Sequence, residues 1–443
     1  SDVCSSDLVA LTLASMIVFP QSFLRSFAYA GVSVCLMAVL GALVPLPAAL
    51  RILGRRIDKF KVRRGSLTPK DDGVWSTVAR FVMRRPWTTT VVTLVVLLSM
   101  ALPALSVQFS QVDDRVLSAD NPAAKAAKVL RDNFASNESS PVDLIFTVDT
   151  SDARMDSVAR QLANLTQIVR VESQTGIYTK DGFQSLVGVP GWPASLMETD
   201  SHQRLVAISN VSSRTTQGQE MIRAVRSLAP DALVGGTAAD YTDSQEGIAR
   251  QLPWSLLWVA LATLIVLFLY TGSVLLPFKA ILLNVLSLSA AMGVLTWLFQ
   301  NGNLMWLTGE YTVTGTLDTS SLVIVAIVTF GLSMDYEVFL LSRIKEEHDA
   351  GSETTEAVAL GLQRSGRIIT AAALLLAVVF AAFVTSSVTS IKMLGFGIAF
   401  AILLDATVVR GLLVPALMRI AGKYNWWAPR PLRWVHSRIG LKD

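Results

Sequence analysis

Cysteine is nearly absent from this 443-residue chain, which holds only Cys4 and Cys35, so a disulfide framework is excluded. Histidine is as scarce. His202, His348 and His436 fall in three separate segments with no ligand spacing between them, which argues against zinc or any other bound metal. No nucleophile constellation of an enzyme is visible, no cofactor other than protons is expected, and nucleic-acid binding has no separate support. Charge is the third shortage: charged residues make up 16% of the chain and hydrophobic ones 52%, whereas an ordinary soluble domain is about a quarter charged. Most of the chain must therefore meet lipid. No secretory signal pattern is legible near Ser1, so insertion is expected to rely on the membrane spans themselves.

What is present is a series of long apolar runs. A bilayer core about 30 Å thick needs roughly 20 apolar residues in a helix. Seven runs qualify: Phe27 to Leu50, Trp87 to Val107, Leu252 to Tyr270, Val274 to Phe299, Leu317 to Ser342, Ile368 to Ser387 and Ile391 to Leu417. An eighth, Leu8 to Phe19, is too short to cross. The chain opens without Met, and Ser1 to Asp7 places two carboxylates where a helix should continue. That stretch resembles translated sequencing-adapter sequence, so residues 1–7 are expected to be a non-native leader, with a native polar leader as the alternative.

Lys and Arg are retained on the cytoplasmic side of a membrane. Arg51 to Pro86 carries eleven of them against three acids, and the tail after Leu417 adds Arg419, Lys423, Arg430, Arg433, Arg438 and Lys442. Strict alternation through seven spans then puts 108–251 outside and 343–367 inside. The expected organisation is 8–50 as the last helices of a first half, 51–86 as a basic cytoplasmic linker, and 87–107 as a transmembrane helix. A folded extracytoplasmic domain at 108–251 follows, then a five-helix bundle at 252–417 with a cytoplasmic elbow at 343–367, and a basic cytoplasmic tail at 418–443. The elbow is read as a short amphipathic helix opened by Ser352 and running to about Gln363 along the inner surface. The basic linker could attract anionic lipids, although orientation alone explains it.

The outside block holds 13 basic and 18 acidic residues, unlike the positive remainder. Its pattern predicts strand 142–149, helix 153–169, strand 171–179, strand 205–211, helix 215–229 and strand 232–236, the order of the ferredoxin-like split βαβ fold. The fold class is thus an α-helical polytopic membrane protein with an inserted α+β domain. An internal repeat also shows at the ends of two spans, where Pro47 to Arg55 parallels Pro415 to Lys423 at a constant offset of 368, with Arg25 and Lys392 at similar distances upstream. Duplicated halves are common among transporters; convergent helix-exit chemistry is the alternative.

Charges inside lipid spans are the sharpest functional signal, because each costs at least about 2.5–3.5 kcal/mol at the bilayer centre. Asp335 and Glu337 lie in one span, Asp405 and Arg410 in another. Lys279, Asp318, Arg367 and Lys392 sit near span ends, where snorkelling to water is expected. Asp335 is too deep and short to snorkel, and burial favours its protonated form, so it is read as a proton site with the adjacent Tyr336 hydroxyl in support. The plainer alternative is a carboxyl that glues two helices. Gly331, one turn earlier, admits a close helix. Glu337 lies about 200° around the helix from Asp335 and is expected to meet a basic group or water near the cytoplasmic exit. Arg410, five residues after Asp405, would be turned about 140° away on an α-helix, so the two are expected to be poor direct partners. Relay membership and helix packing both stay open for Asp405, Arg410 and Glu337.

The run Gly331-Leu-Ser-Met-Asp335-Tyr336-Glu337-Val-Phe339-Leu-Leu-Ser-Arg-Ile344, together with Leu404 to Arg410, resembles the MMPL family of actinobacterial transporters, within the resistance-nodulation-division superfamily. The likeness covers nearly everything after Asp7. It implies that Asp335 and Tyr336 form the second-half Asp-Tyr pair of a proton relay, with Phe339 and Gly331 lining the channel. It also implies export of lipids or other amphipathic compounds across the bacterial plasma (inner) membrane, driven by protons. The family's other Asp-Tyr pair would map about 33 residues upstream of Ser1, so a missing N-terminal half of the same protein is the expected partner, beside membrane lipids, an amphipathic substrate and a homo-oligomer. A protein-translocation accessory subunit of the same superfamily is the alternative function.

Overall fold

The computed structural model describes residues 2–54, 73–134, 138–193 and 197–439. Half of the basic linker, at 55–72, lies outside the described residues, as do Ser1 of the leader and Lys442 of the tail. The chain divides into two compact units, one of Ser1–Phe109 with Gln251–Asp443 and one of Ser110–Arg250. In chain order the helices are α1 (Asp2–Ala14), α2 (Ser22–Leu43), α3 (Pro45–Leu53), α4 (Val74–Arg84), α5 (Pro86–Ala101), α6 (Pro122–Asn133), α7 (Asp152–Ala163) and α8 (Thr216–Leu228). They continue with α9 (Thr237–Thr271), α10 (Leu275–Leu295), the single turn α11 (Met305–Thr308), α12 (Thr319–Asp349), α13 (Thr354–Ala381), α14 (Thr389–Leu404), α15 (Val414–Ala421) and α16 (Arg430–Ile439).

Seven helical stretches among the described residues are long and apolar enough to cross a membrane. Their burial inside the protein sorts them: 72% for the stretch Thr389–Trp426 and 61% for Thr319–Asp349, against 6% for Ser22–Leu53 and 11% for Pro86–Ser106. The centre of the bundle is therefore α12 with α14 and α15, and α2 and α5 lie at its rim. Lipid supplies no hydrophobic drive between helices, so close approach depends on small residues. Gly331 of α12 leaves room for Thr12 of α1, Gly293 of α10 for the backbone of Met100 and Ala101, and Gly361 of α13 for the Ile344 backbone.

The repeated span ends match in conformation as well as in sequence. Both α3 and α15 carry proline in their first turn, where its fixed φ suits a helix start. Both stop at glycine with positive φ, +47° at Gly54 and +51° at Gly422, a region that a side chain disfavours.

The inner elbow differs from expectation. No separate surface helix runs from Ser352 to Gln363; α12 continues to Asp349, and α13 runs unbroken from Thr354 past Gly366 to Ala381. Gly366 does not end the helix, because the ring of Trp75 from α4 packs on it. The face that an amphipathic helix would lay on lipid is instead committed to protein: Ala357, Leu362 and Ser365 are buried, and Gln363 Oε1 accepts from the Ser76 backbone at 3.0 Å. Helix α4 itself, inside what reads as linker, is an amphipathic segment with Ala79, Val82 and Met83 buried.

The second unit is a six-stranded antiparallel sheet with β1 (Val142–Thr147), β2 (Ile168–Glu172), β3 (Gly176–Thr179), β4 (Gly182–Ser185), β5 (His202–Ser209) and β6 (Leu233–Gly235). The strand order is β4-β3-β2-β5-β1-β6. The four strands β2-β5-β1-β6 at one end of the sheet, with α7 and α8 as the intervening helices, give the ferredoxin-like arrangement. Register follows from alternation: Val142, Leu144 and Phe146 are buried, and Val142 and Leu144 lie opposite Ala207 and Leu205. The expected single strand 171–179 is two, because the chain turns back between Glu172 and Gly176. Ser173 Oγ accepts from the Gly176 amide at 3.2 Å in that turn, and β3 continues into the hairpin with β4.

Candidate functional site: ionisable side chains within the helix bundle

Helix α12 runs for 31 residues, and Asp335 stands half-way along it. Ser333, Asp335, Tyr336 and Glu337 are successive polar positions there. Facing them is a segment that is not α-helical. Asp405–Leu413 is a π-helix, inserted between α14 and α15. Its turns close through i→i+5 hydrogen bonds, which returns residues five apart to one face.

That geometry overturns the expected separation of Asp405 and Arg410. Arg410 Nη2 lies 2.8 Å from Asp405 Oδ2, and the two are 1% and 4% exposed. The same Nη2 donates to the Ser333 carbonyl and, at 3.2 Å, approaches the Ser333 hydroxyl. Arg410 thereby ties the π-segment to α12 while its charge is balanced inside the protein, the condition on which a buried cation is tolerable. Its guanidinium carbon stands 5.3 Å from the centre of the Tyr336 ring, within cation–π range. Nε and Nη1 make no hydrogen bond among the described residues, although Glu337 Oε2 is 3.9 Å from Nε.

Glu337 is buried at 6% exposure, and its basic neighbours are Arg410, with Nε 3.9 Å from Oε2, and Lys279 near the start of α10, which lies within electrostatic range. Asp335 and Tyr336 are half-buried, and Asp335 is within electrostatic range of the Cys35 thiol on α2. Phe339 is half-buried with the Arg343 guanidinium 5.7 Å from its ring, and Gly331 is occupied on its open side by Thr12. Thus Ser333, Tyr336, Glu337, Asp405 and Arg410 converge.

Several residues near span ends also behave differently from snorkelling groups. Lys392 is buried, and its ammonium donates at 3.1 Å to the carbonyls of both Thr308 and Glu310. Asp318 is buried as the N-cap of α12, accepting from the Ser321 amide at 2.8 Å and its hydroxyl at 2.5 Å. Lys279 donates at 2.6 Å to Asn425 Oδ1, and the Asn425 amide in turn caps the carbonyls of Met418 and Gly422 at 2.7 Å. Sequence reasoning missed Ser333 and Asn425 as partners. The Ser333 signal was available, since it precedes Asp335 by two residues in a short polar cluster; Asn425 is distant in sequence from Lys279 and gave none.

Among the described residues no group of His, Cys, Asp or Glu is placed to hold a metal ion. The family model described as MMPL family matches residues 115–439. A membrane protein of Streptomyces coelicolor is 35% identical over 439 residues, covering 98% of this chain and 57% of that protein. The trehalose monomycolate exporter MmpL3 of Mycobacterium tuberculosis is 30% identical over 475 residues, covering 99% of this chain and 49% of the exporter. The heme uptake protein MmpL11 of the same species is 30% identical over 445 residues, covering 98% and 44%. This chain spans about half the length of the curated relatives it matches. A crystal structure of SecDF covers 94% of this chain at 12% identity and a TM-score of 0.45, too distant for any functional argument.

Proposed function

This chain belongs to the MMPL family, and from that premise we propose that it forms part of a proton-motive-force-driven exporter of lipids or other amphipathic compounds. The observation that carries the proposal is the buried Arg410–Asp405 pair held against Ser333 on the same helix as Asp335, Tyr336 and Glu337. Similarity of this chain to a trehalose monomycolate exporter supports the substrate class. In the proposed orientation the unit Ser110–Arg250 is outside and the C-terminus is cytoplasmic, as the basic residues of the linker and tail require. The proposed partner is a first half of the same polypeptide, for which relatives about twice as long leave room.

Asp335 takes a proton from the outer side and releases it inward, each charge that crosses supplying about 2.3 kcal/mol per 100 mV. Loss and gain of its negative charge alter the field at Arg410. The guanidinium has donors left over, and Glu337 stands one short movement away, so Arg410 can share itself between Asp405 and Glu337 as Asp335 titrates. Because Arg410 also grips the Ser333 backbone, this exchange is transmitted to the packing of α12 on the π-segment. Tyr336 passes the proton, and Phe339 and Gly331 border its path. The substrate moves through the outer unit as the helices shift.

The test is Asp335→Asn in the full-length transporter of the native host. Export of labelled amphipathic substrate should be lost while the amount of protein in the membrane is unchanged. Normal export by that variant, at normal membrane abundance, would defeat the reading.

A further inference from the structure

The chain after α15 has a composition unlike the rest. From Met418 to Ile439 there are five basic residues, Arg419, Lys423, Arg430, Arg433 and Arg438, and no acid at all. Tyr424, Trp427 and Trp434 are exposed in the same stretch. Its last element, α16, is amphipathic by the helical wheel. Pro431, Leu432, Val435, His436 and Ile439 share one face, and Arg430, Arg433 and Ser437 the other, with Trp434 and Arg438 at the border.

An amphipathic helix of a soluble protein buries its apolar face on a core, but here the protein covers none of it fully. No residue of α16 is buried; Trp434 is 58% and Ile439 65% exposed. What the protein does supply is a tether. The His436 ring stands 6.0 Å from Phe268 and packs on Gly272, at the end of the α9 span. Just before α16, the Trp427 carbonyl accepts from Val274 at 3.2 Å and the Asn425 carbonyl from the Ser273 hydroxyl at 2.5 Å, both in the turn that joins α9 to α10. The helix is thus fastened to the place where two spans leave the hydrocarbon.

We propose that α16 is an interfacial helix that binds the anionic phospholipid headgroups of the leaflet at that end of the bundle. Leu432 and Ile439 of the apolar face are exposed, and the exposed tryptophans suit the headgroup level. Arg430, Arg433 and Arg438 form no ion pair among the described residues, so their charge is available to an outside partner. Arg438 lies 4.5 Å from the Trp434 ring centre, which keeps a cation beside the aromatic anchor. Each arginine near such a surface enriches anionic over zwitterionic lipid by roughly fivefold. The inference is independent of the proton site, since no residue of that site takes part.

The experiment uses the purified chain in phosphatidylcholine nanodiscs, in which one third of the lipid is brominated phosphatidylglycerol or, separately, brominated phosphatidylcholine. Quenching at Trp434 is the difference between the intact chain and Trp434→Phe. Phosphatidylglycerol should quench Trp434 more strongly at equal bulk content, and the preference should fade in molar salt, where charges are screened beyond about 3 Å. The triple variant Arg430→Gln, Arg433→Gln, Arg438→Gln should lose the preference. The triple Lys variant should keep it, which separates loss of charge from loss of the helix. Equal quenching by the two lipids in the intact chain, a preference that survives in the Gln variant, or one that disappears in the Lys variant would each overturn the proposal.

Discussion

Replacing Arg410 by Met tests the geometry of the π-segment and the energetics of the bundle together. Arg410 holds Asp405 at 2.8 Å and contacts the Ser333 hydroxyl at 3.2 Å, and all of this is withdrawn from solvent. Removing one member of such a pair strands the other charge, at about 3–5 kcal/mol. Asp405→Asn should destabilise comparably, because it strands the guanidinium. If the two side chains share one face, the double variant should be no worse than either single one, a coupling of at least about 2 kcal/mol. Arg410→Lys should recover little, since an ammonium lacks the planar fork that reaches Asp405 and Ser333 at once. The assay is unfolding of the purified protein in mixed micelles with rising dodecyl sulfate, followed by tryptophan fluorescence. Additivity within about 0.5 kcal/mol would refute the reasoning, because it is what an α-helical spacing of the two residues requires.

Gly293→Ala should destabilise α10 against α5 by more than Gly331→Ala destabilises α12 against α1. An added methyl meets fixed backbone at Met100 and Ala101 in the first case and a rotatable Thr12 side chain in the second; overpacking typically costs about 1–3 kcal/mol, and the same unfolding assay ranks them. Lys392→Met should leave the Thr308 and Glu310 carbonyls without their donor, at about 1–3 kcal/mol, and hydrogen exchange of residues 305–316 should accelerate. In the outer unit, the hydrogen bond from Arg160, and after it that from Tyr178, holds the Asp156 carboxyl below its usual range. Its folded pKa is thus lower than the unfolded value of about 3.9, so the contribution is present at neutral pH and is lost as pH falls through the folded value. Asp156→Asn should flatten that acid limb in hydrogen exchange of β3, by well under about 1 kcal/mol, because the pair is half exposed.

The membrane spans were readable because hydrocarbon admits so few alternatives: an apolar run of sufficient length has to be a helix. The depth of Asp335 was readable for the same reason, since it stands half-way along its helix. The inner elbow was not. Gly366 reads as a stop, yet whether a glycine ends a helix depends on what packs there, and Trp75 lies far away in sequence. The Glu172–Gly176 turn had a signal in Ser173 and Gly176, but Val171 on one side and Ile177 to Thr179 on the other make the whole read as one strand. Asp405 and Arg410 failed differently. A spacing of five turns two side chains apart on an α-helix and together on a π-helix, and no residue between Asp405 and Arg410 announces the longer period.

That longer period has a consequence for how the chain can vary. A stretch of nine residues that winds more slowly than its neighbours carries more chain than ordinary pitch needs. Deleting one residue between Asp405 and Arg410 would set the pair at i,i+4, which faces one side of an ordinary α-helix, whereas inserting one would turn Arg410 off the face it shares with Asp405 and Ser333. Exchange of the half-buried Val408 for another apolar residue should leave the winding untouched, whereas Thr407 donates its hydroxyl to the Leu403 carbonyl at 2.5 Å. The segment is therefore forgiving of apolar exchange and of a one-residue loss and unforgiving of a gain, so insertions should be rarer there than deletions.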